Sequence, residues 1–258
     1  MHWDADEQPT IPVNKSAIGR AFGRAAENYE QYATLQQITG DRLLILADLP
    51  EKGWVLDAGC GSGKYSRYFS GQGYQVTALD ISAEMLRTAR ERDPQSCYLQ
   101  GDIDALPVRT QSFDVIWSNL ALQWSADLKK ALGKLRLALT PGGSLRFSTV
   151  AAGSLPEVDQ AWRALDNTSH INQFLSPGEI ARAAEGYGIR LYHEQITLRF
   201  PTVRAALWSL KGVGASHLHR RDEGLPLTRQ RLALVDAGWP KDSQGYRLSY
   251  QIVYGVSE

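Results

Sequence analysis

The string VLDAGCGSG, residues 55–63, carries the most legible chemistry in the chain. An apolar run ends in a carboxylate, Asp57, and Gly59, Gly61 and Gly63 then alternate with Cys60 and Ser62. Glycines at that spacing turn the backbone with no Cβ between its N–H groups and a ligand, and a helix starting just beyond offers its positive end. A nucleotide-type cofactor is implied. The dinucleotide fingerprint GxGxxG needs Gly or Ala where this chain has Lys64, and it calls for no carboxylate two residues before the first glycine. Neither a Ser–His–Asp nor a Cys–His arrangement is evident. Only two cysteines occur, Cys60 and Cys97, with no CxxC pair and no zinc-ligand spacing. His217 and His219 stand at i, i+2 without a carboxylate cluster, a poor ligand set, so no metal is expected.

Such residues need rigid elements to hold them. Short β-rich runs at 54–59, 75–80, 97–102, 113–119 and 143–149 alternate with helical patterns at 64–73, 82–92 and 127–139. That rhythm predicts βαβ units, hence a doubly wound α/β fold with a mostly parallel sheet, because parallel neighbours need long right-handed crossovers. Before it, residues 13–48 predict two helices broken around 32–34, with Ile18, Phe22 and Ala25 on one stripe. After it, 154–165 and 176–188 open with helix-start signals, and 189–200 and 246–256 alternate like an antiparallel pair. Residues 201–245, between those two strands, are too long for a hairpin loop; they form a helical insert and the expected place for a substrate element. Residues 1–12 read as a disordered tail, and 13–258 as one domain whose cofactor-binding core spans 49–150.

The pattern hhDxGxGxG resembles motif I of the class I S-adenosylmethionine-dependent methyltransferases, and with it the order and spacing of residues 40–150. The resemblance implies a Rossmann-like, seven-stranded sheet with an antiparallel C-terminal strand, and S-adenosylmethionine as cofactor. That cofactor carries an ammonium and a sulfonium, so a buried Asp57 is electrostatically apt. In register with the family, Asp80 and its neighbour Ile81 fall where the ribose hydroxyls are held, with Met85 on the helix that follows. Asp102 and Ile103 fall at the adenine, and Asn119, Leu120 and Gln123 at the methionine half. Trp124 falls beside the methyl donor, where an aromatic ring gains about 0.5–2 kcal/mol from a cation; Trp117, mid-strand, reads as core. The F-x-x-A-A-x-x-Y pattern ending at Tyr29 resembles a helical lid over the methionine end.

Across about Val13 to Val256, the segments AFGRAAENYEQYATLQ, SNLALQW, GSLPE, FLSPGEI and SLKGVGASHLH resemble the malonyl-[acyl-carrier protein] O-methyltransferase family of biotin synthesis. The resemblance implies methyl transfer to the free carboxylate of a malonyl thioester, giving the methyl ester that primes pimeloyl synthesis. An ionised carboxylate needs no general base, so positioning should supply the catalysis. Lys211, His217 and His219, in the last of those segments, are the expected contacts for the carboxylate or thioester carbonyl.

Charge points the same way. The chain carries 28 Lys and Arg against 28 Asp and Glu, so no global field recruits nucleic acid or a membrane. Residues 190–247 nevertheless hold ten bases and five acids, a net of +5, which suits a strongly acidic acyl carrier protein. The absence of a leader or long apolar run suggests a cytoplasmic protein. The alternatives are a trans-aconitate-type carboxyl methyltransferase, a quinone C-methyltransferase with a base in the pocket, a regulatory module that binds cofactor without turnover, and an NAD oxidoreductase, which Lys64 disfavours.

Overall fold

A computed structural model describes residues 13–46, 49–163, 165, 169–214 and 228–257. The expected tail at 1–12, His217 and His219 lie outside the described residues.

Three helices open the chain: α1 (Lys15–Ala25), α2 (Tyr29–Tyr32) and α3 (Thr34–Ile45). The alternating core follows as β1 (Trp54–Ala58), α4 (Lys64–Gly71), β2 (Gln75–Asp80), α5 (Ala83–Arg92), β3 (Cys97–Gln100), β4 (Phe113–Asn119), α6 (Leu128–Ala138) and β5 (Leu139–Ala151). The C-terminal part adds α7 (Pro156–Trp162), α8 (Pro177–Ala184), β6 (Ile189–Phe200), α9 (Val203–Gly212), α10 (Arg229–Gly238), β7 (Lys241–Asp242) and β8 (Gly245–Ser257).

The strands run β3-β2-β1-β4-β5-β8-β6, with β7 paired to β8. Neighbours from β3 through β5 are parallel, and β8 is antiparallel to both β5 and β6. The seven expected strands are all present. The two-residue β7 is an addition: it makes a tight hairpin through Gly245 into β8, and is too short to register as a period. The N-terminal segment has a second break, at 26–28, which periodicity missed because apolar spacing continues across it. That break lets α1 pack on α5 while Tyr29 turns toward the glycine loop.

Local chemistry explains the boundaries. Ser82 and Asp127 accept hydrogen bonds from the backbone N–H groups of Met85 and Lys130 and so cap α5 and α6. Ser176 and Glu179 form a reciprocal capping box behind Pro177 at the start of α8. Central strands are buried on both faces, which is why VLDA in β1 reads as a continuous apolar run. Trp117 is fully buried among Tyr65 and Phe69 on one face, and Leu56, Ile116 and Leu132 fill the other. The strand order reverses between β1 and β4, which opens a crevice at their carboxyl ends, where open α/β sheets bind ligands.

Candidate active site

The glycine loop leaves β1 bonded to its neighbour: the N–H groups of Gly59 and Cys60 donate to the Leu79 carbonyl at 2.7 and 2.9 Å. Asp80, at the end of β2, braces the turn from the other side. Its Oδ2 accepts from the Gly61 N–H (2.9 Å) and its Oδ1 from the Ser82 N–H (2.8 Å). Gly59 has φ +83° and a Cβ there would run into the Ala121 side chain, so the cradle depends on glycine. Asp57 is buried with one side-chain partner, Ser66, whose hydroxyl donates at 2.6 Å. Burial without a cation pushes its carboxyl up to about 7, against the Ser66 bond, which pulls it down. A positively charged group above the loop would reverse that burial effect.

Next to the loop, a cavity of about 70 Å³ is lined by Tyr29, Ile81, Ile103 and Lys15. Lys15 Nζ lies 2.8 Å from both Asp102 Oδ1 and Asp104 Oδ2, so α1 is tied to the segment that follows β3. Tyr29 also faces Gly61, and burial, with Asp80 nearby, raises its hydroxyl well above the ordinary range. Cys60 lines the adjoining space beside Asp57, and its Sγ donates to the Gly61 carbonyl at 3.5 Å. Gly63 and Met85 also have packing roles. Gly63 backs onto Ala89, which a Cβ would approach to 2.7 Å, so it serves the packing of α4 on α5. Met85 is fully buried in the core under α5.

The end of β4 divides two chambers. Asn119 Oδ1 accepts from Thr39 Oγ1 (2.8 Å) and Ser148 Oγ (2.6 Å), and its Nδ2 donates to the Gln36 carbonyl (2.8 Å). Leu120 follows with φ +51°, and the short 3₁₀ turn Leu122–Trp124 sets Trp124 edge-on to Phe22 of α1, ring centroids 5.6 Å apart.

Beyond that wall lies a cavity of about 200 Å³, built from α2 and α3 (Tyr32, Leu35, Gln36), α7 (Val158, Trp162), the 170–174 segment (His170, Asn172), α9 (Leu207, Leu210) and Tyr250 of β8. Leu120 and Trp124 line both this cavity and the cofactor crevice, and Gln36 lines both this cavity and the space beside the glycine loop. Gln36 Oε1 is buried without a hydrogen-bond partner. Gln123 also lines the cavity, with its Nε2 donating to the Leu120 carbonyl at 2.6 Å. No Lys or Arg lines the cavity among the described residues.

That bears on Lys211. It ends α9 on the exposed side, with Nζ 4.9 Å from the Trp208 ring centroid, and does not line the cavity. The glycines beside it serve contact between elements. A Cβ on Gly212 would enter the Tyr32 ring, and one on Gly214, at φ +73°, would come within 3.0 Å of the Phe22 backbone. Gln36, Trp162 and Tyr250 escaped sequence reading because they sit in ordinary amphipathic or alternating segments, and Asn172 because it lies in an irregular connection before α8.

Comparison with known proteins agrees with this layout. Residues 56–147 match the family described as "Methyltransferase domain". Among solved structures, the [4+2]-cyclase SpnF aligns with a TM-score of 0.60 at 17% identity, covering 96% of this chain and 97% of its own. The YcgJ protein of Bacillus subtilis aligns at 0.57 and 17%, covering 85% and 97%. These likenesses show the fold, and fold and site together define a class I methyltransferase.

Full-length relatives narrow the class. The malonyl-[acyl-carrier protein] O-methyltransferase of Pectobacterium atrosepticum is 49% identical over 96% of this chain and 98% of its own. Those of Erwinia billingiae and Salmonella typhimurium are each 47% identical over 95% of this chain and 97% and 98% of theirs. The chain belongs to the malonyl-[acyl-carrier protein] O-methyltransferase family.

Proposed function

We infer that the protein transfers a methyl group from S-adenosylmethionine to the free carboxylate of a malonyl group borne by an acyl carrier protein, forming the ester that primes pimeloyl synthesis for biotin. The observation that carries this reading is the second cavity: without Lys or Arg among its described lining residues, largely apolar, and meeting the cofactor crevice at Leu120 and Trp124 and the space beside the glycine loop at Gln36.

The crevice fits the cofactor by the chemistry of its donors. Asp57 is a buried carboxylate with no cation beside it among the described residues, suited to the ammonium; Asp80 and Asp102, which line the crevice, are the carboxylates we assign to the ribose and the adenine; Gly59 lines the same crevice. When bound, the cofactor supplies an electrophilic methyl group. Asn119 and Leu120 shape the wall against which its methionine half rests, and Trp124 presents its ring to the cationic end.

On the acceptor side, Gln36 is the hydrogen-bonding side chain we assign to the carboxylate, through Nε2. A neutral donor suits a nucleophile that loses its charge as it reacts, because a lysine in the cavity would favour the anionic ground state over the transition state. No general base is needed, since the carboxylate is already ionised. The apolar walls from Leu35, Val158 and Leu210 exclude water and hold the acyl chain in line, the proximity effect that can supply about 7–11 kcal/mol.

The test is transfer from labelled S-adenosylmethionine to malonyl-carrier protein, malonyl-CoA, free malonate, trans-aconitate and a quinone precursor, scored as a base-labile methyl ester. Labelling of the malonyl thioesters is expected. Labelling of trans-aconitate alone, or a base-stable product on the quinone precursor alone, would overturn the reading.

A further inference from the structure

The acceptor cavity, at about 200 Å³, has room for an acyl end and none for a protein. A carrier must therefore stand outside it, against whatever forms the cavity's outer wall. One wall is α9, and its two faces differ sharply. Val203, Ala206 and Ser209 are buried, and Leu207 and Leu210 line the cavity. Arg204, Trp208 and Lys211, at i, i+4 and i+7, form one exposed stripe on the opposite side.

Three features of that stripe point to a partner. Trp208 is 42% exposed, and a tryptophan left in water is a common anchor of protein interfaces. Lys211 Nζ lies 4.9 Å over its ring, which holds the cation beside the apolar surface. The helix VRAALWSLKG contains no Asp or Glu, so both of its charges are positive. A solvated helix face normally mixes signs, whereas this one pairs an aromatic anchor with cations of a single sign.

We propose that the Arg204–Trp208–Lys211 face of α9 is the docking surface for an acidic helix of the carrier protein, with Trp208 as the apolar anchor and the two cations meeting carboxylates. This rests on the carrier-borne acceptor of the proposed function. It gives Lys211 a role outside the cavity: it guides the carrier and does not touch the reacting carboxylate. Binding on this face sets the carrier one helix diameter from the cavity, so its thioester arm passes around α9.

The experiment compares malonyl-carrier protein with malonyl-pantetheine, which has the same acyl thioester without protein or nucleotide. For Arg204→Glu and for Trp208→Ala, kcat/KM with the carrier substrate is expected to fall at least tenfold through KM. With malonyl-pantetheine it should stay within twofold, and S-adenosylmethionine affinity and melting temperature should be unchanged. Raising salt should weaken the wild-type enzyme on the carrier substrate and flatten its advantage over Arg204→Glu. Equal losses on both acceptors would place these residues in the site itself, and no loss on the carrier substrate would remove the docking face; either overturns the proposal while leaving the activity intact. A wild-type enzyme that methylates neither malonyl thioester would instead overturn the proposed function, and direct calorimetric titration of the unloaded carrier against wild type and Arg204→Glu would then decide the docking face separately, equal binding removing it.

Discussion

The cofactor crevice and the acceptor cavity share a wall but are made in opposite ways. The crevice draws its polar groups from the ends of neighbouring parallel strands, Asp57, Asp80 and Asn119, and its carboxylates are bonded to backbone N–H groups or short-range hydroxyls. The cavity gathers side chains from Tyr32 to Tyr250 and is dominated by aliphatic and aromatic surface. One site recognises fixed charges with fixed dipoles, which demands local precision. The other excludes water around an acyl group, and many side-chain combinations can do that. Among the described residues, the carboxylates therefore lie on one side of the Asn119–Trp124 wall, and no Lys, Arg, Asp or Glu lines the chamber on the other side.

Variants should separate the two chambers, and the largest effect belongs to the crevice. Asp80→Ala removes the brace of both Gly61 and Ser82 as well as the carboxylate proposed to hold the ribose. A loss of about 100-fold in S-adenosylmethionine affinity, roughly 2.7 kcal/mol, is expected by calorimetry. Gln36→Leu tests the other side of the wall: kcat/KM for the malonyl acceptor should fall about 30-fold, an effect of the size of a lost hydrogen bond to a charge, with cofactor affinity within twofold. A parallel loss of cofactor affinity would show that Gln36 serves the methionine end and would blur the division.

The next effect is a pH dependence. Burial holds Asp57 at about 7 in the free protein, and a bound ammonium favours its ionised form, so binding releases a proton. Cofactor affinity should drop about tenfold from pH 8 to pH 6, the ratio of ionised fractions for a group titrating near 7. Asp57→Asn should bind weakly and without that slope; a wild-type affinity flat over the same range would show that the site does not rely on this carboxylate's charge. The smallest effect is expected for Lys211→Ala, about three- to fivefold in KM for the carrier substrate alone. A large fall in kcat would return Lys211 to the reacting carboxylate.

Most of the fold was legible because each parallel strand is short and buried on both faces, so runs such as VLDA and DVIW stand out between helical periods. The crevice was legible for a related reason: a strand end, a glycine turn and a capping acid are local in sequence, and Asp57, Asp80 and Asn119 follow at strand-end intervals. At Gly63 and Met85 the sequence left the packing open, which is its limit even there. Each lies in the right segment, but one faces Ala89 and the other the core, since facing depends on how α4 and α5 pack. Lys211 shows the same limit at the substrate side, where the helical period identifies a stripe but not which stripe turns inward.

By itself, the sequence determined the sheet, the glycine cradle and its carboxylates, and the family, because these depend on periodicity and on residues within a few positions of one another. Only the tertiary structure decided that Gln36 stands between the two chambers, that Gly212 and Gly214 seat the end of α9 on Tyr32 and Phe22, and that Lys211 points to solvent. Those facts arise where helices from opposite ends of the chain close on one another, and the contacts that orient them are nonspecific apolar packing, which leaves no pattern along the chain.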